Sequence, residues 1–388
     1  MAIGYFGYIE GYYGRLLSWD ERLVLAQCLG HLQLNAYLYA PKEDPYHRRQ
    51  WKIPYPAEWL RQFSAFTDEC RKSSIHTVAG IAPGLSYDYT SKNDFIALVK
   101  KCAAFMDTGA QALCLLMDDI PNVLPKPCAS AFSSLGQAHG KLLCALTEAL
   151  SRRGHNARML FCPTVYTDQF IEKGHAFSPY LADLAAAMPD DTVIFWTGPQ
   201  VISDKLTLAG NAAVVRQFGG RVCLWDNIYA NDYCPNRLFF GPFEKRDFAL
   251  RGASSGIMLN PTGLLHTDMF LLSLLAAYRE GQDPQSAWQA AVAKLPYAKE
   301  LITVAPFFNA PRISPPKKLL SHVSIKRLRA ALSRLIWEWK SPLQREWYPF
   351  LYMLDSDLAL VEKRGAERTA WIEKKYSPAL ATLLKGKQ

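Results

Sequence analysis

Short runs of apolar residues recur along the first part of the chain, separated by segments whose apolar positions have helical spacing. The runs have the length and composition of strands that are buried on both faces. The predicted strands span residues 3–9, 35–40, 77–81, 112–117, 157–162, 192–196, 221–225 and 256–259. One helix is predicted from Ser18 to about residue 32, and another begins after Ser91. Further helices are predicted over residues 57–73, 133–152, 178–188, 203–217 and 267–278.

This alternation predicts the α/β class and eight βα units, the rhythm of a (β/α)8 TIM barrel of about 250 residues. A doubly wound open sheet is the second candidate, but no Gly-x-Gly-x-x-Gly follows the first strand. Two of the helices have clear starting signals. Ser18 and Glu21 have the spacing of a capping box, and Ser91 stands where the next N-cap is expected.

The last part of the chain has a different pattern, with helical spacing and no strands. Helices are predicted over residues 283–304, 324–339 and 355–376, with a proline-rich break at 309–316. We therefore predict two domains: a catalytic barrel over residues 1–282 and an all-helical C-terminal domain over residues 283–388.

Composition places the chain among globular proteins, with 49% hydrophobic, 20% charged and 12% aromatic residues among 388. No apolar run is long enough for a membrane span, and the N-terminus lacks the basic and apolar regions of a secretory signal. Nine cysteines without a Cys-x-x-Cys pair indicate free thiols, which we expect to be buried at Cys102, Cys114, Cys144, Cys162 and Cys223. These features predict a cytoplasmic protein without a membrane partner.

The formal net charge of +9 raises the question of nucleic-acid binding. Much of the excess lies towards the C-terminus, for example at Lys317, Lys318, Lys326 and Arg327. No DNA- or RNA-binding motif accompanies these residues, so solvated helix faces are the better interpretation. We predict no nucleic-acid partner.

Two adjacent carboxylates, Asp118 and Asp119, end the fourth predicted strand. Neighbouring carboxylates repel each other, so the two are expected to differ in proton affinity, as acid/base chemistry requires. The alternative is a helix N-cap followed by an acidic turn residue. The pair therefore needs support from other strand ends.

Hydrogen-bonding and aromatic residues follow most of the other predicted strands, at the end of a barrel where catalytic groups lie. The set consists of Gly11, Lys42, Tyr166, Trp196, Trp225, Asn227 and Asn260, with Asp232 and Tyr233 in the loop after strand seven. Sugars suit this mixture, because their apolar faces stack on aromatic rings and their hydroxyls bond to polar groups. Singly, each residue could be a loop, turn or core residue. We predict neither a metal site nor a cofactor, since His and Cys clusters and phosphate loops are lacking.

The motifs that carry these residues resemble the catalytic domain of glycoside hydrolase family 84, the O-GlcNAcases and related β-N-acetylglucosaminidases. They occur in the family's order at residues 8–15 (YIEGYYGR), 35–44 (NAYLYAPKED), 117–120 (MDDI), 161–164 (FCPT), 196–199 (WTGP), 224–233 (LWDNIYANDY), 237–242 (RLFFGP) and 259–261 (LNP). Leu16 and Val165 depart from the proline and the acidic residue that are common in the family. The resemblance covers the barrel and reaches the tail only loosely.

The resemblance implies retaining hydrolysis of terminal β-linked N-acetylglucosamine, in which the sugar's own acetamido oxygen attacks the anomeric carbon. Asp118 would orient and polarise the acetamido group, and Asp119 would be the general acid and base. The implied substrate-binding residues are Gly11, Lys42, Tyr166, Trp225, Asn227, Asp232 and Asn260. The substrate would be a protein or glycan that carries N-acetylglucosamine.

Three questions stay open at the level of sequence. The enzyme could instead be a β-N-acetylhexosaminidase or a hyaluronan-type glycosidase that acts on free glycans. A non-catalytic barrel that only binds N-acetylglucosamine is the alternative from another class, although binding alone would not need both aspartates. A homo-oligomer formed through the helical domain is also open.

Overall fold

The computed structural model describes residues 4–171, 178–309, 324–364, 371–372 and 375–376. The chain divides into two compact units. The first contains the residues up to 227 together with 246–260, and the second contains 228–245 together with the residues from 261 onward. The domain boundary between residues 282 and 283 stays a prediction.

Eight parallel strands close into a barrel in the first unit, each paired with its neighbours in chain order and β1 paired with β8. This confirms the predicted (β/α)8 fold. The strands are β1 Tyr5–Glu10, β2 Ala36–Tyr39, β3 His76–Ile81, β4 Ala112–Leu116, β5 Arg158–Cys162, β6 Val193–Trp196, β7 Val222–Asp226 and β8 Gly256–Leu259. Nearly every strand residue is buried, as the continuous apolar runs predicted.

Helices follow the strands in the order expected for a barrel. In the first unit they are α1 Trp19–His31, α2 Ala57–Lys72, α3 Lys92–Asp107, α4 Leu135–Ser151, α5 Pro179–Ala187, α6 Ala212–Gln217 and α7 Leu250–Ala253. The capping box at Ser18 and Glu21 is formed, and Ser91 caps α3 by accepting the N–H of Asp94.

The prediction of one helix over residues 203–217 was wrong, because α6 begins only at Ala212. Leu206 makes an isolated parallel bridge with Arg246, and the Ser203 hydroxyl donates to the carbonyl of Thr197 at 2.8 Å. These bonds to distant backbone hold the segment out of a helix. Local helical spacing was outweighed by tertiary contacts.

The inside of the barrel is packed with residues from alternate strand positions. Small side chains such as Ala36, Cys114 and Cys223 share this core with larger ones such as Tyr5 and Phe195. A core of this kind is solid, so a ligand has access only at its ends.

Two bidentate ion pairs are buried among the described residues of the first unit. Glu10, at the end of β1, accepts two bonds from Arg22 of α1 (2.9 and 2.8 Å) and one from the Tyr37 hydroxyl (2.8 Å). Asp226, at the end of β7, pairs in the same bidentate way with Arg246 (2.8 and 2.9 Å). Because both partners of each pair are buried, removing one would leave an uncompensated charge.

The described part of the second unit from residue 265 onward is mainly helical, which confirms the predicted helical C-terminal region. Its helices are α8 Leu265–Arg279, α9 Pro284–Ala293, α10 Ala298–Val304, α11 Ile325–Trp337 and α12 Pro342–Arg364. Glu346 of α12 accepts the N–H groups of His266 and Thr267 at 2.8 Å each, and so caps the first turn of α8. The Trp347 indole N–H donates to the Thr267 hydroxyl at 2.9 Å and thereby ties the same two helices together.

Three predictions for the tail need correction or lie outside the described residues. The predicted helix 283–304 is divided into α9 and α10, with Tyr297 in the left-handed region (φ 62°) between them. The predicted start at residue 355 was wrong, because α12 begins at Pro342 and continues through Pro349. Of the predicted break at 309–316, only Asn309 belongs to the described residues.

All nine cysteines are free thiols, and Cys102, Cys114, Cys162 and Cys223 are buried as expected. Cys144 is exposed, so the expectation of burial was wrong there. No helix within the described ranges combines the length and the apolar character needed to cross a membrane.

Candidate active site

Most of the residues singled out in the sequence lie at the C-terminal ends of the barrel strands. Gly11, Lys42, Tyr166, Asn227 and Asn260 follow β1, β2, β5, β7 and β8, Trp225 lies within β7, and Asp118 and Asp119 follow β4. Parallel strands in a closed barrel bring these ends to one face. The face carries two separate hydrogen-bonded groups.

The first group contains Asp118 and Lys42, which form a buried ion pair. The Lys42 Nζ lies 2.5 Å from Asp118 Oδ2, and the side chains are 3% and 10% exposed. Burial alone would lower the pKa of Lys42, but Asp118, together with Tyr13 and Asp119, outweighs this effect, and the pKa lies above its usual value. Lys42 therefore stays charged.

The other carboxylate oxygen of Asp118 is in a different situation. Oδ1 is buried and has no hydrogen-bond partner among the described residues. Buried acceptors in folded proteins are nearly always paired, and leaving one unpaired costs about 1–3 kcal/mol. Asp118 is thus fixed on one side and able to accept a donor on the other.

The Asp119 side chain has a different direction from that of Asp118, because the Asp119 backbone is in the left-handed region, with φ 55°. This conformation is uncommon outside glycine, although aspartate tolerates it better than most residues. Its carboxylate accepts the Tyr13 hydroxyl at 2.8 Å and the Tyr166 hydroxyl at 3.0 Å. Asp119 is exposed, whereas its neighbour Asp118 is largely buried. The two adjacent carboxylates therefore have different partners and different access to solvent.

The two tyrosines that bind Asp119 are themselves positioned. The Tyr13 hydroxyl accepts a bond from Arg48 Nη1 at 2.6 Å. Burial, reinforced by the Asp119 and Asp118 carboxylates, raises the pKa of Tyr166, which keeps its hydroxyl protonated. A neutral hydroxyl can donate or accept, so both tyrosines can follow a change in the protonation of Asp119.

The second group is a chain of four residues from three strand ends. The Trp225 indole N–H donates to Asn227 Oδ1 at 2.9 Å, and Asn260 Nδ2 donates to the same oxygen at 2.9 Å. Asn260 Oδ1 in turn accepts the backbone N–H of Gly11 at 3.1 Å. This chain fixes the Trp225 ring, which belongs to the same apolar cluster as Tyr166.

Gly11 is required beside that ring for steric reasons. A Cβ added at Gly11 would lie 2.6 Å from Trp225 Cζ2 and 2.9 Å from its Cη2. Contacts this short do not occur for real Cβ atoms. The Trp225 indole thus packs directly against the backbone at Gly11, just after β1.

The backbone before Asp118 is held by Thr164, which follows β5. The Thr164 hydroxyl donates to the Met117 carbonyl at 2.7 Å, and the Thr164 N–H donates to the Tyr180 hydroxyl at 3.2 Å. Tyr180 also bonds to Nδ1 of His139 at 2.8 Å. Burial lowers the pKa of His139 to about 3, so the histidine in this network is neutral.

Asp232, the remaining residue on the predicted list, lies in the second unit. Its carboxylate accepts the backbone N–H of Tyr233 at 2.9 Å. Both residues belong to the segment 228–245 that follows β7.

Three residues around the aspartate loop were given no role at the level of sequence. Tyr13 and Thr164, which bond to the loop, stood in family motifs without a role, and Arg48, which bonds to Tyr13, was not singled out. Tyr13 and Asp119 are 106 positions apart, so no local pattern connects them. A search for tyrosine hydroxyls and arginines near every strand end would have found Tyr13 and Arg48. Within the described ranges, no three His, Cys, Asp or Glu side chains are grouped to hold a metal ion.

A closed (β/α)8 barrel with an aspartate pair after β4 and an aromatic ring wall is an arrangement typical of glycoside hydrolases. Residues 6–307 match the protein family described as beta-N-acetylglucosaminidase. The chain therefore belongs to this family, glycoside hydrolase family 84.

Curated relatives agree with this assignment, and a solved structure has the same fold. The chain is 30% identical over 272 residues to the curated Protein O-GlcNAcase of Rattus norvegicus and, equally, to that of Mus musculus. In each case the aligned region is 70% of this chain but only 29% of the relative. A structure of a mutant of the Thermobaculum terrenum O-GlcNAc hydrolase has the same fold, with a TM-score of 0.84 and 24% identity. The match covers 97% of this chain and 88% of that one.

Proposed function

We propose that this protein is a retaining β-N-acetylglucosaminidase that removes O-linked N-acetylglucosamine from Ser and Thr of proteins through substrate-assisted catalysis. Family membership and the names of the curated relatives support the reaction class. The observation that carries the mechanism is the state of Asp118. One of its oxygens is held by Lys42, and the other is buried without a donor.

In this proposal, Asp118 accepts the acetamido N–H of the sugar on Oδ1. This hydrogen bond increases the electron density on the acetamido carbonyl oxygen and makes it a better nucleophile. The carbonyl oxygen then attacks the anomeric carbon. The glycosidic bond breaks as the new C–O bond forms, and the intermediate becomes a neutral oxazoline when its N–H proton passes to Asp118, which returns it in the second step. Lys42 holds Oδ2 of Asp118 through the ion pair and leaves Oδ1 for the acetamido N–H.

Asp119 provides the proton transfers. It protonates the leaving Ser or Thr oxygen in the first step and takes a proton from water in the second step. Its exposure suits both tasks, because the leaving group and the water both have to reach it. Tyr13 and Tyr166 orient the carboxyl group and can rotate their hydroxyls as its proton comes and goes.

The second hydrogen-bonded group would form the pocket for the acetamido methyl group. Trp225 supplies an apolar wall, and Asn227, Asn260 and Gly11 keep it in position. The role of Asp232, binding the outer sugar hydroxyls, is proposed from its motif alone.

The reaction class is tested by release of 4-nitrophenol from 4-nitrophenyl β-N-acetylglucosaminide by wild type, Asp118→Asn and Asp119→Asn. We expect clear turnover by the wild type, a loss of about 10²-fold or more in kcat/KM for Asp118→Asn, and a smaller loss for Asp119→Asn, because 4-nitrophenolate leaves without a proton. The isosteric asparagines keep the shape of the loop, which thermal unfolding should verify. Sugar binding without turnover by the wild type would contradict the enzyme and favour a binding barrel.

The role of Asp119 is separated from that of Asp118 by the leaving group. Asp119→Ala should lose little activity on an aryl glycoside whose leaving group needs no proton, and much more on an alkyl glycoside or a glycopeptide. Asp118→Ala should lose activity on both, because the nucleophile is needed in either case. Equal losses for Asp119→Ala on both substrates would refute the acid/base assignment.

The natural substrate requires its own comparison. Release of N-acetylglucosamine from a glycosylated serine peptide should exceed release from chitobiose and from hyaluronan oligosaccharides at equal concentration. Faster cleavage of either glycan would establish the hexosaminidase or hyaluronan-type alternative. The free thiols are consistent with a cytoplasmic substrate, and we retain that location as part of the proposal.

A further inference from the structure

A second cavity lies in the first unit, between α3 and α4, and no function described above uses it. Its volume is about 500 Å³, which falls within the range of small-molecule pockets. Its walls come from the end of the loop after β3, the first turns of α3, the loop before α4 and the middle of α4. None of the proposed catalytic or sugar-binding residues lines it.

Aromatic rings form the main wall of this cavity, which we call the α3–α4 cavity. The rings of Tyr87 and Tyr89 meet edge to face at 5.2 Å, and Tyr89 and Phe132 meet in the same way at 6.4 Å. Phe95 and Ile96 of α3 also line it, and Ile96 is 47% exposed although it is large and apolar. Such a wall suits a flat apolar group that can pack among the rings.

Three of the four hydroxyl groups along the wall bond to protein partners. The Tyr89 hydroxyl bonds to Nε2 of the buried, neutral His139 at 2.6 Å. The Thr90 hydroxyl donates to Asp88 at 2.7 Å, and Ser91 Oγ caps α3. A neutral polar ligand such as a sugar would therefore find few hydroxyls able to bind it.

Two ammonium groups are available instead. Lys92 and Lys141 line the cavity, are exposed, and form no ion pair with any carboxylate that the structure describes. The Lys141 Nζ lies 5.6 Å from the centroid of the Phe132 ring, at the edge of the aromatic wall. No acidic residue lines the cavity.

Neither nearby carboxylate forms an ion pair with Lys92 or Lys141. Asp94, in the first turn of α3, is paired with Lys52 at 2.7 Å. Asp88 accepts the backbone N–H and the hydroxyl of Thr90, at 2.9 and 2.7 Å. The cavity thus combines an apolar aromatic wall with two positively charged lysines.

We propose that the α3–α4 cavity is a binding site for a small aromatic acid. The aromatic ring of the ligand packs against Tyr87, Tyr89 and Phe132, and its anionic group lies between Lys92 and Lys141. The site is separate from the proposed sugar site, so ligand binding does not depend on hydrolysis.

The probe for this site is 8-anilinonaphthalene-1-sulfonate, an aromatic anion whose fluorescence reports binding. N-phenyl-1-naphthylamine has the same rings without the sulfonate and is the matched control ligand. We expect the sulfonate to bind with one site per chain and the uncharged amine to bind several-fold more weakly.

Variants locate the binding. Ala145→Trp places an indole in the cavity and should abolish binding, whereas Ala149→Trp, one turn further along α4, should not. Lys92→Met should weaken binding about two- to fivefold, as expected for one exposed charge contact, and Lys100→Met on the same helix should leave it unchanged. Circular dichroism establishes that each variant is folded.

The outcomes are decisive in both directions. Loss of binding in Ala145→Trp, together with weaker binding in Lys92→Met, would support the site. Binding that persists in Ala145→Trp, or equal affinity for the sulfonate and the amine, would overturn it. Because the readout is fluorescence, these results stand whether or not the protein cleaves N-acetylglucosaminides.

Discussion

Substituting Gly11 by alanine should disable the proposed acetamido pocket without touching any carboxylate. The new methyl group would lie 2.6 Å from Trp225 Cζ2, whereas ordinary contact begins at 3.4 Å. The ring must therefore move by about 0.8 Å, the difference between these distances. Trp225 is only 7% exposed and its indole N–H is bonded to Asn227, so this movement disturbs the hydrogen-bonded chain.

The expected size of the effect follows from that displacement. Overpacking of this kind costs about 1–3 kcal/mol of folding stability. A misplacement of about 1 Å near a reacting group can lower the rate on the order of 10²-fold. We therefore expect kcat/KM for 4-nitrophenyl β-N-acetylglucosaminide to fall by about 10- to 100-fold, and the thermal midpoint to fall by a few degrees.

A double-mutant cycle with Trp225→Phe tests the cause. Phenylalanine reaches less far and lacks the two ring atoms that the new methyl group meets, so Gly11→Ala should cost much less in that background. Gly252→Ala is the matched control, since nothing lies within 4 Å of the added Cβ. The same loss from Gly11→Ala in both backgrounds would refute the steric explanation.

Three further substitutions test the surroundings of the aspartates and the buried histidines. Thr164→Val removes the bond to the Met117 carbonyl and should lower kcat/KM about tenfold, because an unpaired buried carbonyl costs about 1–3 kcal/mol. Tyr13→Phe removes one donor to Asp119 and should lower kcat/KM about three- to tenfold on an alkyl glycoside, and less on an aryl glycoside. His139→Gln should reduce the loss of stability in acid. The pKa of His139 is about 3 in the folded protein and about 6.5 in the unfolded chain. Its contribution to the free energy of unfolding is therefore fully present above pH 6.5. It falls by about 1.4 kcal/mol per pH unit below that, which urea unfolding from pH 7 to 4.5 would measure.

Each of these predictions has a matched control in the chain. Thr147→Val removes a hydroxyl that bonds within α4, and Tyr352→Phe removes an exposed hydroxyl in the second unit, so neither should change kcat/KM. His31→Gln replaces an exposed histidine at the end of α1 and should leave the acid dependence of stability unchanged. A change of the same size in a control and in its partner variant would contradict the structural reason given.

Much of the barrel could be predicted because its signals are local. Continuous apolar runs define strands, and caps such as Ser18 and Ser91 define where helices begin, all within a few residues. The same logic failed at residues 203–211, where the backbone is held by Arg246 and Thr197 from elsewhere in the barrel unit. Local signals also placed the start of α12 too late, at residue 355, although the helix runs from Pro342 through Pro349 and its buried Trp347 stacks on Phe240 at 4.3 Å.

The candidate site residues could be named from the sequence, but their mutual contacts could not. Strand ends and motifs identified Asp118, Asp119 and Trp225 without any knowledge of contacts. The hydrogen-bond partners of these residues could not be predicted from the sequence, because the partners come from different strands. The resemblance placed Tyr166 and Lys42 among the substrate-binding residues. In this structure the Tyr166 hydroxyl bonds to Asp119, and Lys42 is paired with Asp118.

The central claim is that the nucleophile belongs to the substrate. The most direct test is the kcat/KM of the wild-type protein for 4-nitrophenyl glucosaminides whose N-acetyl group carries zero, one, two or three fluorine atoms. Each fluorine withdraws electrons from the carbonyl oxygen, so attack by that oxygen predicts a steady decrease in log kcat/KM along the series. A rate that does not depend on fluorination would contradict substrate assistance and indicate a nucleophile supplied by the protein.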